Sequence, residues 1–296
     1  MKDNTLVVLA AGLGSRFGGS KQISQVGPNG QCLMEYSIYD AIEAGFRHVV
    51  FVLKEDMVDT VREMLGARVS KRARVDYAVQ DFSSLPQWYA VPAERQKPFG
   101  TVHAVLCAAP FLNAPFATVN ADDYYGKDVY RILHRLLSQA TDERDGAMVP
   151  YVLGNTMSRN GGVTRGICRV EHGLLRQVTE TRNIRYAENG TIVGESGVLS
   201  PNALASMNIW GFQEGFLPRM QRYFEDFLKG LPKDELRAEC LLPVMVNDLL
   251  EQKELQVRAE RSNDEWFGLT YREDMTVAAE SLAALHAKGA YPKILF

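Results

Sequence analysis

Two cationic side chains, Arg16 and Lys21, lie among four glycines in the stretch LVVLAAGLGSRFGGSKQ, which begins at Leu6. Glycine lets the backbone turn tightly and bring its N–H groups close to an anion, while arginine and lysine add positive charge. A strained turn without a ligand would explain any single pair of these glycines. Two cations inside the same loop, directly after an apolar run, favour a site for phosphate groups.

Two well-known glycine-rich phosphate loops fit this stretch poorly. A P-loop has the pattern GxxxxGK followed by Ser or Thr, whereas here Ser20 separates Gly19 from Lys21. The dinucleotide fingerprint GxGxxG would need glycine at position 17, where the sequence has Phe17. Dinucleotide loops also hold the pyrophosphate with a helix N-terminus rather than with an internal pair of cations. An NAD-dependent oxidoreductase is therefore a less favoured alternative.

Paired carboxylates, Asp122 and Asp123, follow the apolar segment FATVN in the motif TVNADDYYG. Open α/β sheets bind ligands at the carboxyl ends of their strands, and carboxylate oxygens suit Mg²⁺, which commonly joins protein to substrate phosphates. A solvated turn or a helix cap would also explain two adjacent aspartates. Beside the cationic loop, a metal site is the favoured interpretation.

The segment LAAGLGSRFGGSKQ resembles the signature loop LAAGxGxR…K of the nucleotidyltransferases that make sugar nucleotides and related activated phosphates. The resemblance implies that the loop holds a nucleoside triphosphate, with Arg16 and Lys21 as the catalytic residues that neutralise its β- and γ-phosphates. The spacing of these two cations is closer to that of the molybdenum-cofactor nucleotidyltransferases. The nucleotide-binding residues that the resemblance implies are Ala10, Ala11, Gly12, Gly14, Gln80, Gly100 and Thr101.

The same resemblance implies a catalytic Mg²⁺ held by Asp122, at the end of the FATVN strand. For a second metal ligand, the segment NDEWFGLTYRED lies in the corresponding region of the chain. Its closest motif position is Thr270, a poor ligand, so Asp264 is the candidate.

The second half of the chain resembles the family less closely, but it contains counterparts of the sugar-binding segments. These acceptor-side residues are Gly162 in NGGVTRG, Glu180 in VTETRN and Asn208 in MNIWGF. Thr181 stands where the family usually has a phosphate-binding lysine. We predict that Arg182 supplies that charge, with Arg185 as the alternative.

Short apolar runs alternate with helical patterns in the first half of the chain and must position these residues. TLVVLA, HVVFVL, RVDYAVQ and FATVN are typical of strands, and the segments between them of helices. This alternation predicts right-handed crossovers in an α/β, Rossmann-like, mainly parallel sheet flanked by helices. Around Asn155 the segments become short and rich in glycine, which predicts a small antiparallel β excursion on the substrate side.

We expect one nucleotidyltransferase domain over residues 1–296, with a nucleotide-binding half (1–152) and an acceptor-binding half (153–296). The 296 residues are 46% hydrophobic, which is ample for a core, and the net charge of -3 argues against a nucleic-acid binder. Four scattered cysteines fit buried thiols in a reducing compartment. With no apolar run of membrane-spanning length and no signal-peptide cleavage region, the expectation is a cytoplasmic protein without a membrane partner.

The motifs and the family resemblance together imply a Mg²⁺-dependent enzyme that uses a nucleoside triphosphate and a phosphorylated small-molecule acceptor as its partners. It would move a nucleoside monophosphate group to the acceptor, most simply a sugar 1-phosphate, and release pyrophosphate. Because Thr181 replaces the lysine that usually follows the glutamate in this family, a non-catalytic nucleotide-binding or regulatory protein stays an alternative. The nucleotide base, the acceptor and the oligomeric state stay open at this point.

Overall fold

A mixed β-sheet with a parallel core runs through the centre of the molecule. The structure is a computed structural model that describes residues 3–12, 21–158 and 160–296. The strands in chain order are β1 (Thr5–Leu9), β2 (His48–Leu53), β3 (Arg74–Val79), β4 (Phe116–Asn120), β5 (Asp123–Tyr124), β6 (Asp145–Met148), β7 (Tyr151–Val152), β8 (Val163–Glu171), β9 (Leu174–Tyr186), β10 (Ile192–Gly194), β11 (Gly197–Leu199), β12 (Leu204–Ser206), β13 (Trp210–Phe212), β14 (Gln256–Ala259) and β15 (Phe267–Gly268).

Helices cover both faces of this sheet. In chain order they are α1 (Leu33–Ala44), α2 (Glu55–Val61), α3 (Ala67–Val69), α4 (Thr101–Ala108), α5 (Lys127–Ser138), α6 (Leu217–Lys229), α7 (Leu242–Glu251) and α8 (Asp274–Ala287). A π-helical stretch, Arg62–Gly66, joins α2 to α3, and short 3-10 turns lie at Lys21–Ile23, Ala109–Phe111, Leu153–Thr156 and Glu214–Phe216. Among the described helices, none has both the length and the apolar character that crossing a membrane requires.

The parallel core has the order β3-β2-β1-β4, and every pair in it is parallel. Parallel neighbours need a crossover connection, and α1, α2 with α3, and α4 occupy the three connections. The strands β1 and β2 are almost entirely buried, as their continuous apolar sequences predict for strands covered on both faces. The predicted α/β fold with a mainly parallel sheet is confirmed.

Beyond β4 the sheet becomes mixed. The strand β13 runs antiparallel to β4 and β6, and β14 then pairs in parallel with β6. The remaining strands of this sheet, β9, β8, β12 and β7, are antiparallel, and the β10–β11 hairpin pairs with β9. The strands β5 and β15 form a separate antiparallel pair. This region is the antiparallel excursion that the glycine-rich second half predicts.

Side chains on the parallel strands alternate between two apolar clusters, one on each face of the sheet. In β1, Leu6 and Val8 pack into the cluster that contains residues of α1 and α5. Val7 points to the opposite cluster, which contains residues of α4, α6 and α7. The core therefore fixes β1 from both sides and leaves its carboxyl end to form part of the site.

Gly100 provides a test of how tightly this frame is packed. It precedes α4 with φ 90°, and a Cβ there would lie 2.6 Å from the carbonyl oxygen of Cys240. That carbonyl accepts a hydrogen bond from the Val102 amide (3.1 Å), and the Cys240 amide donates to Phe99 (2.8 Å), so the contact has little room to relax.

We expect Gly100→Ala to lower the free energy of unfolding by about 2–3 kcal/mol, measured by urea denaturation, because it combines a left-handed φ with overpacking. The matched control is Gly230→Ala, where φ is -79° and the nearest atom to a new Cβ is 3.5 Å away. The control should stay within about 0.5 kcal/mol of the parent chain. Equal stability of the two variants would contradict this description of the α4 N-terminus.

Candidate active site

Two clefts meet where the carboxyl ends of β1 and β4 lie side by side. The parallel register sets Leu9 opposite Asn120, so the residues that follow each strand leave the sheet at one place. The larger cleft has a volume of about 1010 Å³ and the smaller about 310 Å³. The residues that line both clefts are Thr101, Asn120, Asp122 and Thr270.

The larger cleft contains most of the predicted nucleotide-side residues. Those that line it are Ala11, Gly12, Lys21, Gln80, Gly100 and Thr101. The Gln80 side-chain amide donates to the Gly100 carbonyl (2.9 Å), which ties the end of β3 to the start of α4. Ala10 is buried beneath the cleft, with its amide donating to the Val52 carbonyl (2.8 Å). Gly14 and Arg16 lie outside the described residues.

Lys21 and Asp122 form an ion pair at the junction of the two clefts. The Lys21 ammonium also donates to the Leu269 carbonyl (3.4 Å), and the Gln22 side chain next to it donates to the Gly12 carbonyl (2.9 Å). The two charged side chains are only 20% and 17% exposed, so solvent and salt screen their attraction less than on an open surface. The pair links the glycine-rich segment to the end of β4.

Asp123 has a different role from its neighbour. Its Oδ2 accepts hydrogen bonds from the Asn120 side-chain amide (2.8 Å) and the Tyr125 hydroxyl (3.1 Å). Burial, followed by repulsion from the Asp122 carboxylate, raises the pKa of Asp123 to about 7. Asp123 is thus a buried, hydrogen-bonded carboxyl that supports the turn, and Asp122 is the carboxylate that borders both clefts.

The smaller cleft lies against the antiparallel strands and includes two of the predicted acceptor-side residues, Glu180 and Asn208. Asn208 has φ 61°, and its side-chain amide donates to Asn120 Oδ1 (2.8 Å) while its own oxygen accepts from Trp210 Nε1 (3.3 Å). Because Asn120 also binds Asp123, one hydrogen-bonded chain connects the acceptor side to the end of β4.

Gly162 and Arg182 line neither cleft. The Gly162 carbonyl accepts a hydrogen bond from the Tyr271 hydroxyl (2.9 Å), and it is Gly166, further along the same motif, that borders the smaller cleft. Arg182 is exposed on β9. The structure therefore does not bring these two predicted residues into the site.

Two other residues border the smaller cleft and were missed in the sequence, Arg165 and Trp266. A signal for Arg165 is present, because it lies two positions after the apolar Val163 in a predicted strand. Alternation puts such residues on one face, so a cation at that position is a candidate for burial. No local pattern distinguishes Trp266 from an ordinary core aromatic residue.

Asp264, the predicted second metal ligand, caps a helix instead. Its Oδ2 accepts hydrogen bonds from the amides of Asp128 (2.6 Å) and Val129 (3.2 Å) in the first turn of α5. It lines neither of the two clefts. Within residues 3–12, 21–158 and 160–296, no group of three or more His, Cys, Asp or Glu residues could hold a metal ion. The structure therefore shows Asp264 as a helix cap, and its role as a metal ligand stays a prediction.

Comparisons with known proteins agree with this architecture. The family model of the MobA-like NTP transferase domain matches residues 6–158, more than half of the 296-residue chain. No curated protein matches the sequence.

Three solved structures share the fold over nearly the whole chain. A putative glucose-1-phosphate thymidylyltransferase from Bacillus anthracis, in complex with a sucrose, has a TM-score of 0.60 at 12% identity, covering 94% of this chain and 95% of its own. A UDP-glucose pyrophosphorylase from Acinetobacter baumanii has a TM-score of 0.59 at 16% identity, covering 97% and 95%. A UDP-glucose pyrophosphorylase complexed with UDP-glucose has a TM-score of 0.58 at 16% identity, covering 96% and 99%.

The capping role of Asp264 can be tested against a role in metal binding. We expect Asp264→Ala to lower the free energy of unfolding by about 1–2 kcal/mol, because two helix N-terminal amides lose their acceptor. Asp264→Asn keeps a side-chain oxygen and should retain most of the stability in the same denaturation experiment. A variant of parental stability that needs a higher Mg²⁺ concentration for activity would point to metal ligation instead.

Proposed function

The chain belongs to the MobA-like NTP transferase family and is a nucleotidyltransferase, and we propose that it joins a nucleoside monophosphate group to a sugar 1-phosphate. The observation that carries this proposal is that Asp122 borders both clefts. A reaction between two bound phosphate compounds needs two adjoining binding sites. Where the sites meet, charged groups must offset the negative charge of the phosphates. Two structural neighbours are named as a putative glucose-1-phosphate thymidylyltransferase and a UDP-glucose pyrophosphorylase, and these names support the choice of acceptor class.

The sizes of the clefts support one substrate in each. The larger cleft, at about 1010 Å³, suits a nucleoside triphosphate, and its lining includes Gly12, Gln80 and the start of α4. The smaller cleft, at about 310 Å³, suits a single phosphorylated sugar, with Glu180 and Asn208 as partners for its hydroxyl groups. We propose that residues 1–296 act as one domain, since the larger cleft also includes Leu236 and Thr270 from the second half.

The proposed reaction is an attack by a phosphate oxygen of the acceptor on the α-phosphorus of the nucleotide. The new P–O bond forms as the bond to the β-phosphate oxygen breaks, and pyrophosphate leaves. A phosphomonoester has its second pKa near 6, so at neutral pH the nucleophile is mostly ionised already and needs no general base. The protein's contribution is to hold the two substrates in line and to neutralise the charge that develops on the leaving group. Lys21 and Arg16 are the proposed cations for that purpose.

The residues present fit a Mg²⁺ ion. Magnesium is usually held by one or two protein carboxylates, with substrate phosphates and water completing its ligands, so a large acidic cluster is not required. Asp122, whose carboxylate borders both clefts, is the residue that would hold the ion. When bound, the ion would neutralise the negative charge of the phosphate groups that meet at the junction.

Lys21→Ala provides the test of this assignment. We expect kcat for pyrophosphate release to fall by about two orders of magnitude, because a fixed charge stabiliser of the leaving group is lost. The assay combines a panel of nucleoside triphosphates with a panel of hexose 1-phosphates in the presence of Mg²⁺. Lys71→Ala, which removes an exposed lysine from the turn before β3, serves as the control and should keep the parental rate.

Turnover of Lys21→Ala at the parental rate would contradict the role given to this lysine. A parent chain that binds a nucleoside triphosphate, yet releases no pyrophosphate with any acceptor of the panel, would instead support the non-catalytic alternative.

A further inference from the structure

A buried guanidinium, that of Arg165, lies in the wall of the smaller cleft. The residue is only 9% exposed. Its Nη1 donates to the Thr164 carbonyl (2.9 Å), and its Nη2 donates to the Thr156 carbonyl (2.7 Å). Its Cζ lies 4.8 Å from the centre of the Trp266 ring, so the guanidinium is held by two carbonyls and an aromatic face. These contacts fix its position without neutralising its charge.

No acidic residue in the described part of the chain forms an ion pair with Arg165. Asp123 and Glu180 act on it electrostatically, but burial is the larger influence and lowers its pKa to about 10. Taking an arginine out of water costs several kcal/mol, which a partner anion normally offsets. A cation held in this position without such a partner is suited to an anionic ligand.

Two buried N–H groups without a partner belong to side chains of the same wall. Six buried side-chain oxygen and nitrogen atoms of the described residues have no hydrogen-bond partner, and the two nitrogens among them are Arg165 Nε and Trp266 Nε1. Buried polar groups are nearly always paired, so two unpaired N–H groups on adjacent side chains need an explanation. The oxygens of a phosphate group accept hydrogen bonds and carry negative charge, so a phosphate complements a cleft-lining guanidinium whose N–H groups are not all paired.

The charges of the smaller cleft point in the same direction. Among the described residues that line it, Arg165 is the one lysine or arginine, and the acidic residues are Asp122, Asp123 and Glu180. An anionic acceptor would be repelled by this lining unless a cation held its phosphate. The register of β8 and β9 pairs Arg165 directly with Thr181, the position where the resemblance expects a phosphate-binding lysine.

We infer that Arg165 binds the phosphate group of the acceptor, in place of the exposed Arg182 that the sequence suggested. This inference rests on the proposed function, because it assigns the acceptor's phosphate to the smaller cleft. Trp266 lies against the guanidinium and holds it in place with its aromatic face. The acceptor class that this wall selects is a phosphate ester of monosaccharide size rather than an uncharged sugar.

The test compares two substitutions of similar size that differ in charge. Arg165→Gln removes the positive charge, and Arg165→Lys keeps it but loses the planar fork of the guanidinium. Binding of hexose 1-phosphates and of the corresponding free hexoses is measured by calorimetry, and KM values come from the pyrophosphate assay. Arg182→Gln is the matched control on the exposed face of β9.

We expect Arg165→Gln to weaken the binding of hexose 1-phosphate about 10- to 100-fold, the effect of losing a charged hydrogen-bonding partner. Its KM for the nucleoside triphosphate should stay within about twofold, which also shows that the variant is folded. Arg165→Lys should bind the phosphate ester at least about fivefold more tightly than Arg165→Gln, and Arg182→Gln should match the parent chain.

Equal affinities of the Gln and Lys variants for hexose 1-phosphate would overturn the inference, as would a loss that appears in Arg182→Gln instead. A parent chain that binds hexose 1-phosphates no more tightly than free hexoses would overturn it as well.

Failure of the proposed function would give a different experimental result. In that case phosphate esters bind in an Arg165-dependent way, while no combination of substrates releases pyrophosphate.

Discussion

The parallel pairing of β1 with β4 is the constraint on which the candidate site depends. It holds Leu9 beside Asn120, and both strands are fixed by apolar packing on their two faces. Segments that leave the sheet at adjacent carboxyl ends must approach one another, whatever their own sequences prefer. The ion pair of Lys21 and Asp122, which are separated by 101 residues in the chain, follows from that approach.

A partly buried polar network extends the same constraint to the acceptor side. Asn120 donates to Asp123 and accepts from Asn208, so the end of β4 is connected to the segment between β12 and β13. Each of these groups would be costly to bury alone, and their mutual hydrogen bonds offset that cost. The network orients the backbone around Asp122 while leaving the Asp122 carboxylate itself at the junction of the clefts.

The first half of the chain could be predicted well because its signals are local. Continuous apolar runs specify buried strands, the helical patterns between them specify crossovers, and ligand sites in such sheets lie at the strand ends. Those rules indicate the edge of the sheet at which a ligand would bind, whereas the choice of Lys21 and Asp122 came from the resemblance of their motifs to a known family. That Asp122 borders both clefts required the structure, since it depends on strands from both halves.

The second half was predicted less well because its geometry depends on register. An irregularity between Val163 and Arg165 shifts the pairing of β8 with β9, and a shift of one residue exchanges the face to which a side chain points. Gly162 and Arg182 were predicted from their positions in sequence motifs. Such motifs do not reveal the register shift, so the prediction could not take it into account. Asp264 caps a helix that begins 137 positions earlier in the chain, at Lys127, and no local pattern indicates such a distant partner.

The distribution of charge around Asp122 explains why the site needs cations on two sides. Two phosphate compounds that approach one another repel strongly where water is partly excluded, because the attraction or repulsion of charges grows as the effective dielectric constant falls. Lys21 lies on the side of the larger cleft, and Arg165 lies in the wall of the smaller one. In the proposed function each substrate therefore meets its own cation, and the Asp122 carboxylate borders both clefts. In this arrangement the two cations lower the electrostatic cost of bringing the substrates together. Because each phosphate compound binds its own cation, the two do not compete for one positive group and can stay aligned for transfer.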